Sequence, residues 1–338
     1  MPKFLIRRLL IVIPTLLSVA LVTFLIAHYI PGEPLAAVLG QRQLSNPEIV
    51  ARYRAQWGLD RSVPEQFLIY LKNLLQGNLG VSIRNQRPVL DDLAEFFPAT
   101  VELALAALTL AIGGGVLLGI LAAIKRDSAV DQGVRIIALI GSSMPVFWMA
   151  LVFLQIFYAN LAWFPGPGRL DSALAPPPRR TGLYVVDGIL AGDWEVTRNA
   201  IAHLVLPALV LGWYQMGLIA RITRASMLEA LAADYVRTAR AKGLAERVVV
   251  FRHVFRNAML PVLTVVGLAV AGLLAGAVQT ETIFSWPGIG RYAVHSSASL
   301  DFPGIMGVTL LIAGLFIGAN LVVDVLYGLL DPRVRTQG

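Results

Sequence analysis

The residues able to do chemistry in this chain of 338 are few and scattered. Its four histidines, His28, His203, His253 and His295, lie far apart, and none belongs to a His-Glu-x-x-His run that would set two imidazoles on one helical face around zinc. Cysteine is absent, which excludes disulfides and thiolate metal sites and leaves the redox compartment unread. A phosphate-cradling loop needs Gly-Lys ahead of Ser or Thr, and the dipeptide Gly-Lys does not occur; nor does a nucleophile elbow. The sequence therefore offers no catalytic residue and no metal site. It does not read as an enzyme.

What remains is a handful of polar groups in apolar surroundings. Glu102 falls early in one apolar run and Asp324 directly after another, toward the inner end of the sixth span, and an intramembrane carboxylate is a functional candidate by default. Glu102 either lines a path for a substrate or sits at the membrane interface, and Gln279 and Glu281, at the end of another run, are further candidates for such a path. Asp324 has Arg221, Arg224 and Arg333 as expected partners, which makes an ion pair the simpler reading. His203, ahead of Pro207, reads as a capping or packing residue. The glycine pairs Gly115/Gly119, Gly272/Gly276 and Gly314/Gly318 have the spacing that lets helices approach closely.

The elements that must position these groups are membrane helices. With 57% hydrophobic residues, 14% charged and a mean hydropathy of +0.69, the chain is too apolar for a soluble domain. Six runs are long enough to cross a bilayer, which takes about 20 residues: Leu9 to Ile30, Ala99 to Ile124, Ile136 to Phe164, Ile201 to Ala220, Asn257 to Thr280 and Gly304 to Val323. The fold class is all-α and polytopic. The first run follows a basic start, "MPKFLIRR", but its 22 residues exceed a signal peptide's apolar core of about 7–15 and no A-x-A site follows, so it reads as an uncleaved span.

Orientation follows from the connections. With the N-terminus inside, segments 1–8, 125–135, 221–256 and 331–338 hold 16 Lys and Arg in 63 residues, whereas 31–97, 165–200 and 281–303 hold 12 in 126. Positive charge concentrates inside, so both termini are expected in the cytoplasm and the net charge of +7 is a topology signal. A nucleic-acid footprint would need a solvent-facing basic domain, and none is present. The expected organisation is 1–30 as the N-terminus and first span, 31–97 as an ordered extracytoplasmic lobe, 98–330 as a core of five spans, and 331–338 as a tail. In the lobe, "NPEIVARYRAQWGLD" and "VPEQFLIYLKNLLQG" read as short amphipathic helices and "GNLGVSI" as a turn into an extended piece. The lobe is either a cap over helix ends or a docking surface. Segment 165–200, with "WFPGPG" and "APPPRR", reads as irregular.

The segment 221–256 carries eight of the 28 basic residues between two membrane-length runs. "SMLEALAADYVRTARAK" is a helical pattern with Leu228, Leu231, Tyr235 and Ala239 on one stripe. Gly243 ends it as a C-cap glycine would. "AERVVVFRHVFRNAM" restarts with Val248, Phe251 and Phe255 on one side. A basic face on anionic lipid is one reading; the small residues Ala239, Ala241 and Gly243 at the turn favour insertion into a protein groove.

These residues resemble the membrane-spanning permeases of ABC importers, in the dipeptide/oligopeptide/nickel subgroup. The resemblance covers nearly the whole chain: "FLIRRLL", "PGEP", "GLDRSVPEQF", "GNLGVSI", "SSMPVFW", "WFPGPG", "DYVRTARAKGL", "RNAMLP", "ETIFSWPGIG" and "LLDPRVR" look like its landmarks. It implies a type I importer permease fold. The family's cytoplasmic EAA loop, whose pattern is Glu-Ala-Ala-x-x-x-Gly, forms coupling helices that dock on the ATPase. Here Arg237, Thr238 and Ala239 stand in place of Glu-Ala-Ala, followed by Arg240, Ala241, Lys242 and the matching Gly243, while Pro261 lies 18 residues after the glycine where the general pattern has 13. The implied partners are a second homologous permease, two ABC ATPases and an extracytoplasmic binding protein. ATP and magnesium belong to the ATPases, and this chain needs no cofactor of its own. Peptide is the substrate expected from the subgroup, with nickel, glutathione or oligosaccharides as alternatives. A secondary transporter would show repeats and buried coupling carboxylates, and a scaffold would not need the basic hairpin.

Overall fold

The computed structural model describes residues 2–29, 47, 48, 51 and 61–330, and the regular structure among them is helical except for one antiparallel bridge between Val81 and Pro88. The first of the two expected lobe helices, in "NPEIVARYRAQWGLD", lies largely outside the described residues. The chain divides into two compact units, Met1–Pro98 with Pro287–Gly318, and Ala99–Trp286 with Ala319–Gly338.

The first unit contains α1 (Pro2–Tyr29), α2 (Val63–Leu75), the beginning of α3 (Val89–Ile124), α10 (Ile289–Ala298) and the first part of α11 (Phe302–Leu330). Helix α2 starts where Pro64 fits the first turn and where the Glu65 carboxylate accepts the Ser62 N–H and hydroxyl at 3.0 and 2.9 Å. Those hydrogen bonds hold the Glu65 pKa below its usual value. After α2 the chain turns at Gly77 and Gly80, both with positive φ, into a tight loop closed by Val89 N–H to Gly80 O at 3.0 Å. Two buried carboxylates hold this loop. Asp301 accepts from the Ser82 hydroxyl at 2.5 Å and the Ile83 N–H at 3.0 Å, and Asp92 accepts from Asn85 Nδ2 at 2.6 Å and the Tyr292 hydroxyl at 3.2 Å. Burial and the Asp92 charge push the Tyr292 hydroxyl to a higher pKa. Val89, Leu93, Ile289, Tyr292 and Val308 form the apolar core beside it.

The second unit holds the rest of α3, then α4 (Ala129–Ser143), α5 (Val146–Phe153) continued by a π-helix over Leu154–Asn160, α6 (Tyr184–Ala191), α7 (Trp194–Ala232), α8 (Asp234–Ala241), one helical turn at Glu246–Val248, a π-helix over Val249–Val254, and α9 (Phe255–Ile283). Helix α7 is its backbone, packed chiefly on α9 and α4. Glycine permits the close approach of α3 to α7: a Cβ on Gly115 or Gly119 would lie 2.8 Å from the Ile219 side chain or 2.5 Å from that of Thr223. At Gly314 and Gly318 a Cβ would meet nothing within 4 Å among the described residues of this chain. The side-chain surroundings of Gly272 and Gly276 fall outside the described residues.

Three expectations are corrected. The run Ile136 to Phe164 is not one straight span: α4 and the helix from Val146 to Asn160 meet at a bend of 110°. Pro145 causes it, because a proline has no N–H to give the preceding turn and forces Met144 out of the helical region, to ψ 134°. Second, α7 does not stop at Ala220 but runs on through Arg221 and Arg224 to Ala232. Third, 165–200 is irregular only as far as Leu183; α6 and the start of α7 follow. Among the described residues four helices are long and apolar enough to cross a membrane, Val89–Ile124, Trp194–Ala232, Glu246–Gly267 and Phe302–Leu321, or five if the bent pair is one span.

Candidate functional site

The segment after α7 folds back on its own helices. At Ala233 the backbone turns extended, at φ −71° and ψ 149°, and α8 begins. This break offsets part of the expected stripe: Ala239 is buried as expected, but Val236 is buried in place of Tyr235, which is exposed. A second shift follows the turn. The π-helix over Val249–Val254 carries i to i+5 hydrogen bonds and so displaces the helical register. Val249, Val250 and Val254 point inward, and Val248 and Phe251 are exposed. Together with Ile120, Ala123, Met227 and Ala258, these inward residues make one apolar cluster that ties the hairpin to α3, α7 and α9.

Between the two legs lies the turn. Gly243 has φ +74°, a left-handed position that glycine occupies without strain, and a Cβ there would meet nothing within 4 Å. Arg240 Nη2 reaches Glu246 Oε1 at 2.6 Å across it, and this hydrogen bond raises the Arg240 pKa. Of the residues aligned with the coupling loop, Arg237, Thr238, Arg240, Ala241, Lys242 and Gly243 are exposed, and Ala239 faces its own chain. The hairpin thus shows a basic rim with a small, open tip.

Near the other end of α7 a different arrangement appears. Glu102 is buried and accepts from Arg169 Nη2 and, at 2.9 Å, from the Val185 N–H. Arg169 also donates to Gly182 O at 3.1 Å and lies over the Tyr184 ring at 3.7 Å, while its Nε has no hydrogen-bond partner among the described residues. Glu281, fully buried, accepts from the Thr100 hydroxyl at 2.6 Å, and the Trp286 indole donates to Ala99 O at 2.8 Å. Gln279 is exposed on another face of α9. The structure therefore brings Glu102 and Glu281 into buried networks on α3 and leaves Gln279 apart from them. His203 is buried, with Nδ1 3.0 Å from Asn199 O and Nε2 3.5 Å from Asp171, a packing role on the helix.

Residues 115–336 match the family described as binding-protein-dependent transport system inner membrane component, and residues 1–104 match the N-terminal part of such membrane components. The chain belongs to this family. It is 47% identical to the di/tripeptide transport system permease protein DppB of Pseudomonas aeruginosa (strain UCBPP-PA14), with 100% of both chains covered. It is 42% identical to the dipeptide transport system permease protein DppB of Escherichia coli (strain K12) over 99% of each. With the probable D,D-dipeptide transport system permease protein DdpB of the same organism it shares 47% identity, over 95% of this chain and 94% of that one. It is a multi-pass inner-membrane permease subunit of an ABC importer, working with a substrate-binding component and with ATPase activity that lies in separate subunits.

For this permease, two ionic contacts escaped sequence reasoning, Arg169 with Glu102 and Arg224 with Asp131. Arg224 on α7 is held by Asp131 at the start of α4, with Nε–Oδ1 at 2.6 Å and Nη2–Oδ2 at 2.7 Å, so one of the three arginines named as candidate partners of Asp324 is already paired. Asp324's side chain and Arg333 lie outside the described residues. The available signal was Ser128-x-x-Asp131, a capping-box spacing that fixes Asp131 at a helix start, where the Ser128 side chain accepts from Asp131 N–H at 3.4 Å.

Proposed function

We propose that this permease carries di- or oligopeptides inward through a pore it forms with a second, homologous permease, driven by two ATPase subunits. The observation that carries the substrate assignment is full-length similarity to permeases named for dipeptide transport. In this reading the chain has six spans: α1, α3, the bent α4–α5 pair, α7, α9 and α11. Both termini are cytoplasmic, 31–97 is the extracytoplasmic lobe, 98–330 the core, 221–256 the coupling hairpin and 331–338 the tail. The excess of Lys and Arg in the cytoplasmic segments supports this orientation.

Coupling is assigned to Arg237 through Gly243. The exposed basic rim and open tip support it, because the apolar cluster under α8 makes the hairpin a stiff lever rather than a loose loop. Nucleotide-driven movement of the ATPases would be felt by α7 and α9 through this cluster, biasing the permease between two states. Glu102, Gln279 and Glu281 remain the proposed substrate path. Its test is reconstitution of the four membrane-associated subunits with the binding protein in vesicles: labelled dipeptide should accumulate inside only with ATP. Accumulation of nickel, glutathione or an oligosaccharide, with peptide excluded, would overturn the substrate.

A further inference from the structure

Helix α2 presents three faces. Tyr70 is buried, and Phe67 and Tyr70 pack on Phe24 of α1, with ring centroids 5.3 and 5.8 Å away. Glu65, Lys72 and Gln76 form an exposed polar edge. Between them, two turns apart on one side, Leu68 and Leu75 are 64% and 88% exposed. Exposed leucines are common on protein surfaces; what distinguishes these two is the place of α2 in the fold.

Contact with α1 fixes the depth at which those leucines sit. Phe24 also stacks on His28 at 5.9 Å, so the ring cluster occupies the last turns of α1, where the apolar stretch Leu10–Ile26 ends. Along that stretch Leu17, Leu21, Val22 and Ile26 are exposed, and in the six-span reading proposed above, on which this inference rests, they face lipid. Through Phe67 and Tyr70, α2 is held against these last turns of α1, with Leu68 and Leu75 left uncovered on another of its faces. Aromatic rings gather there as they do at membrane–water interfaces, and Lys72 on the adjoining edge can extend its ammonium toward headgroups. Protein contacts concentrate their energy in Trp, Tyr and Arg, and leucine is under-represented among such anchors; neither exposed apolar position of α2 carries one.

We propose that α2 lies along the bilayer surface at the C-terminal end of α1, with Leu68 and Leu75 inserted about 5–10 Å into the boundary between headgroups and acyl chains. Its partner is lipid, and the helix anchors the segment that follows α1 to the membrane. The absence of cysteine makes the test direct. Leu68→Cys, Leu75→Cys and Gln76→Cys, each labelled with an environment-sensitive fluorophore, are assembled with the partner subunits in nanodiscs of phosphatidylethanolamine and phosphatidylglycerol. Labels at 68 and 75 should lose fluorescence to lipids bearing a nitroxide near the headgroup, more than to lipids bearing it at the chain end, and should resist aqueous iodide. The label at 76 should show the reverse. Iodide quenching at 68 and 75 equal to that at 76 would mean a solvated face, and protection from both quenchers would mean that a protein covers it. Either result overturns the proposal. Peptide uptake by each unlabelled variant, at the level of the parent chain, checks that the substitutions leave the importer assembled.

Discussion

Near one end of α7, the Glu102 and Arg169 side chains are each 6% exposed and are bound to backbone groups as well as to each other. At the other, the Arg237 and Arg240 side chains are 79% and 45% exposed, and among the described residues their ionic partners are near neighbours on the same hairpin. A buried ion pair gains little over apolar residues of the same volume but is costly to break from one side. An exposed pair contributes little to stability under any arrangement. The first set of charges is therefore committed to holding this chain in one conformation, and the second is available to a partner. Charge at the two ends should respond to different perturbations.

The largest effect is expected at the buried end. Glu102→Ala leaves Arg169 without its counter-ion and should destabilise the permease by about 3–5 kcal/mol, with a matching loss of folded protein in detergent. Replacing both residues, as Glu102→Leu with Arg169→Met, should restore most of that stability. Transport then sharpens the comparison. A stable but inactive double variant would place Glu102 on the substrate path; a stable and active one would make the pair purely a brace. Recovery of neither stability nor activity would mean that the backbone contacts to Val185 and Gly182 matter more than the charges.

At the exposed end the fold should barely notice a change that the complex cannot tolerate. Gly243→Ala costs only the left-handed backbone penalty, roughly 1 kcal/mol, since a Cβ there meets open space. Gly243→Glu adds a carboxylate at the tip and should insert and melt like the alanine variant while failing to retain the ATPases on co-purification. Arg252→Gln, an exposed residue on the π-helix leg, should leave both retention and uptake near the parent level. If Gly243→Glu keeps its ATPases, the tip is not what enters the partner.

Legibility in the sequence followed the same division. The apolar runs predicted the membrane helices because hydrocarbon tolerates few other structures, and Gly243 was readable as a helix stop because its positive φ favours glycine. The inward face of the hairpin was readable only in part: Leu228, Leu231, Ala239 and Phe255 do join its apolar cluster. A single 3.6-residue period was carried across Ala233, where α8 is offset, and across Val249–Val254, where the helix is π-wound, so Tyr235, Val248 and Phe251 were put where Val236, Val249 and Val250 lie. Glu102 was found because a carboxylate stands out in an apolar run. Arg169 was not, because nothing in a Pro- and Gly-rich loop tells which arginine folds inward.

The smallest expected effect also separates the two ends, through pH. Asp187 on α6 accepts N–H groups from Arg180, Thr181 and Gly182, at 3.2, 2.8 and 2.8 Å, and the Thr181 hydroxyl at 2.8 Å. Burial alone would raise its pKa, but these donors outweigh burial and hold it below the usual carboxylate value. A depressed folded pKa stabilises the loop above the unfolded value, about 3.9, and that contribution is lost as pH falls through the lower, folded one. Gly182 is also the residue whose carbonyl accepts from Arg169, so loosening it reaches the buried pair. Amide exchange at Thr181, Gly182 and Val185, corrected for the intrinsic pH dependence of exchange, should therefore rise below about pH 4, while exchange at Val236 and Ala239, set by apolar packing in the hairpin, stays unchanged. Asp187→Asn should remove most of the pH dependence and leave the loop loose at neutral pH. Equal acid sensitivity at both ends would show that the loop and hairpin unfold as one unit, and the division between braced and available charge would then fail.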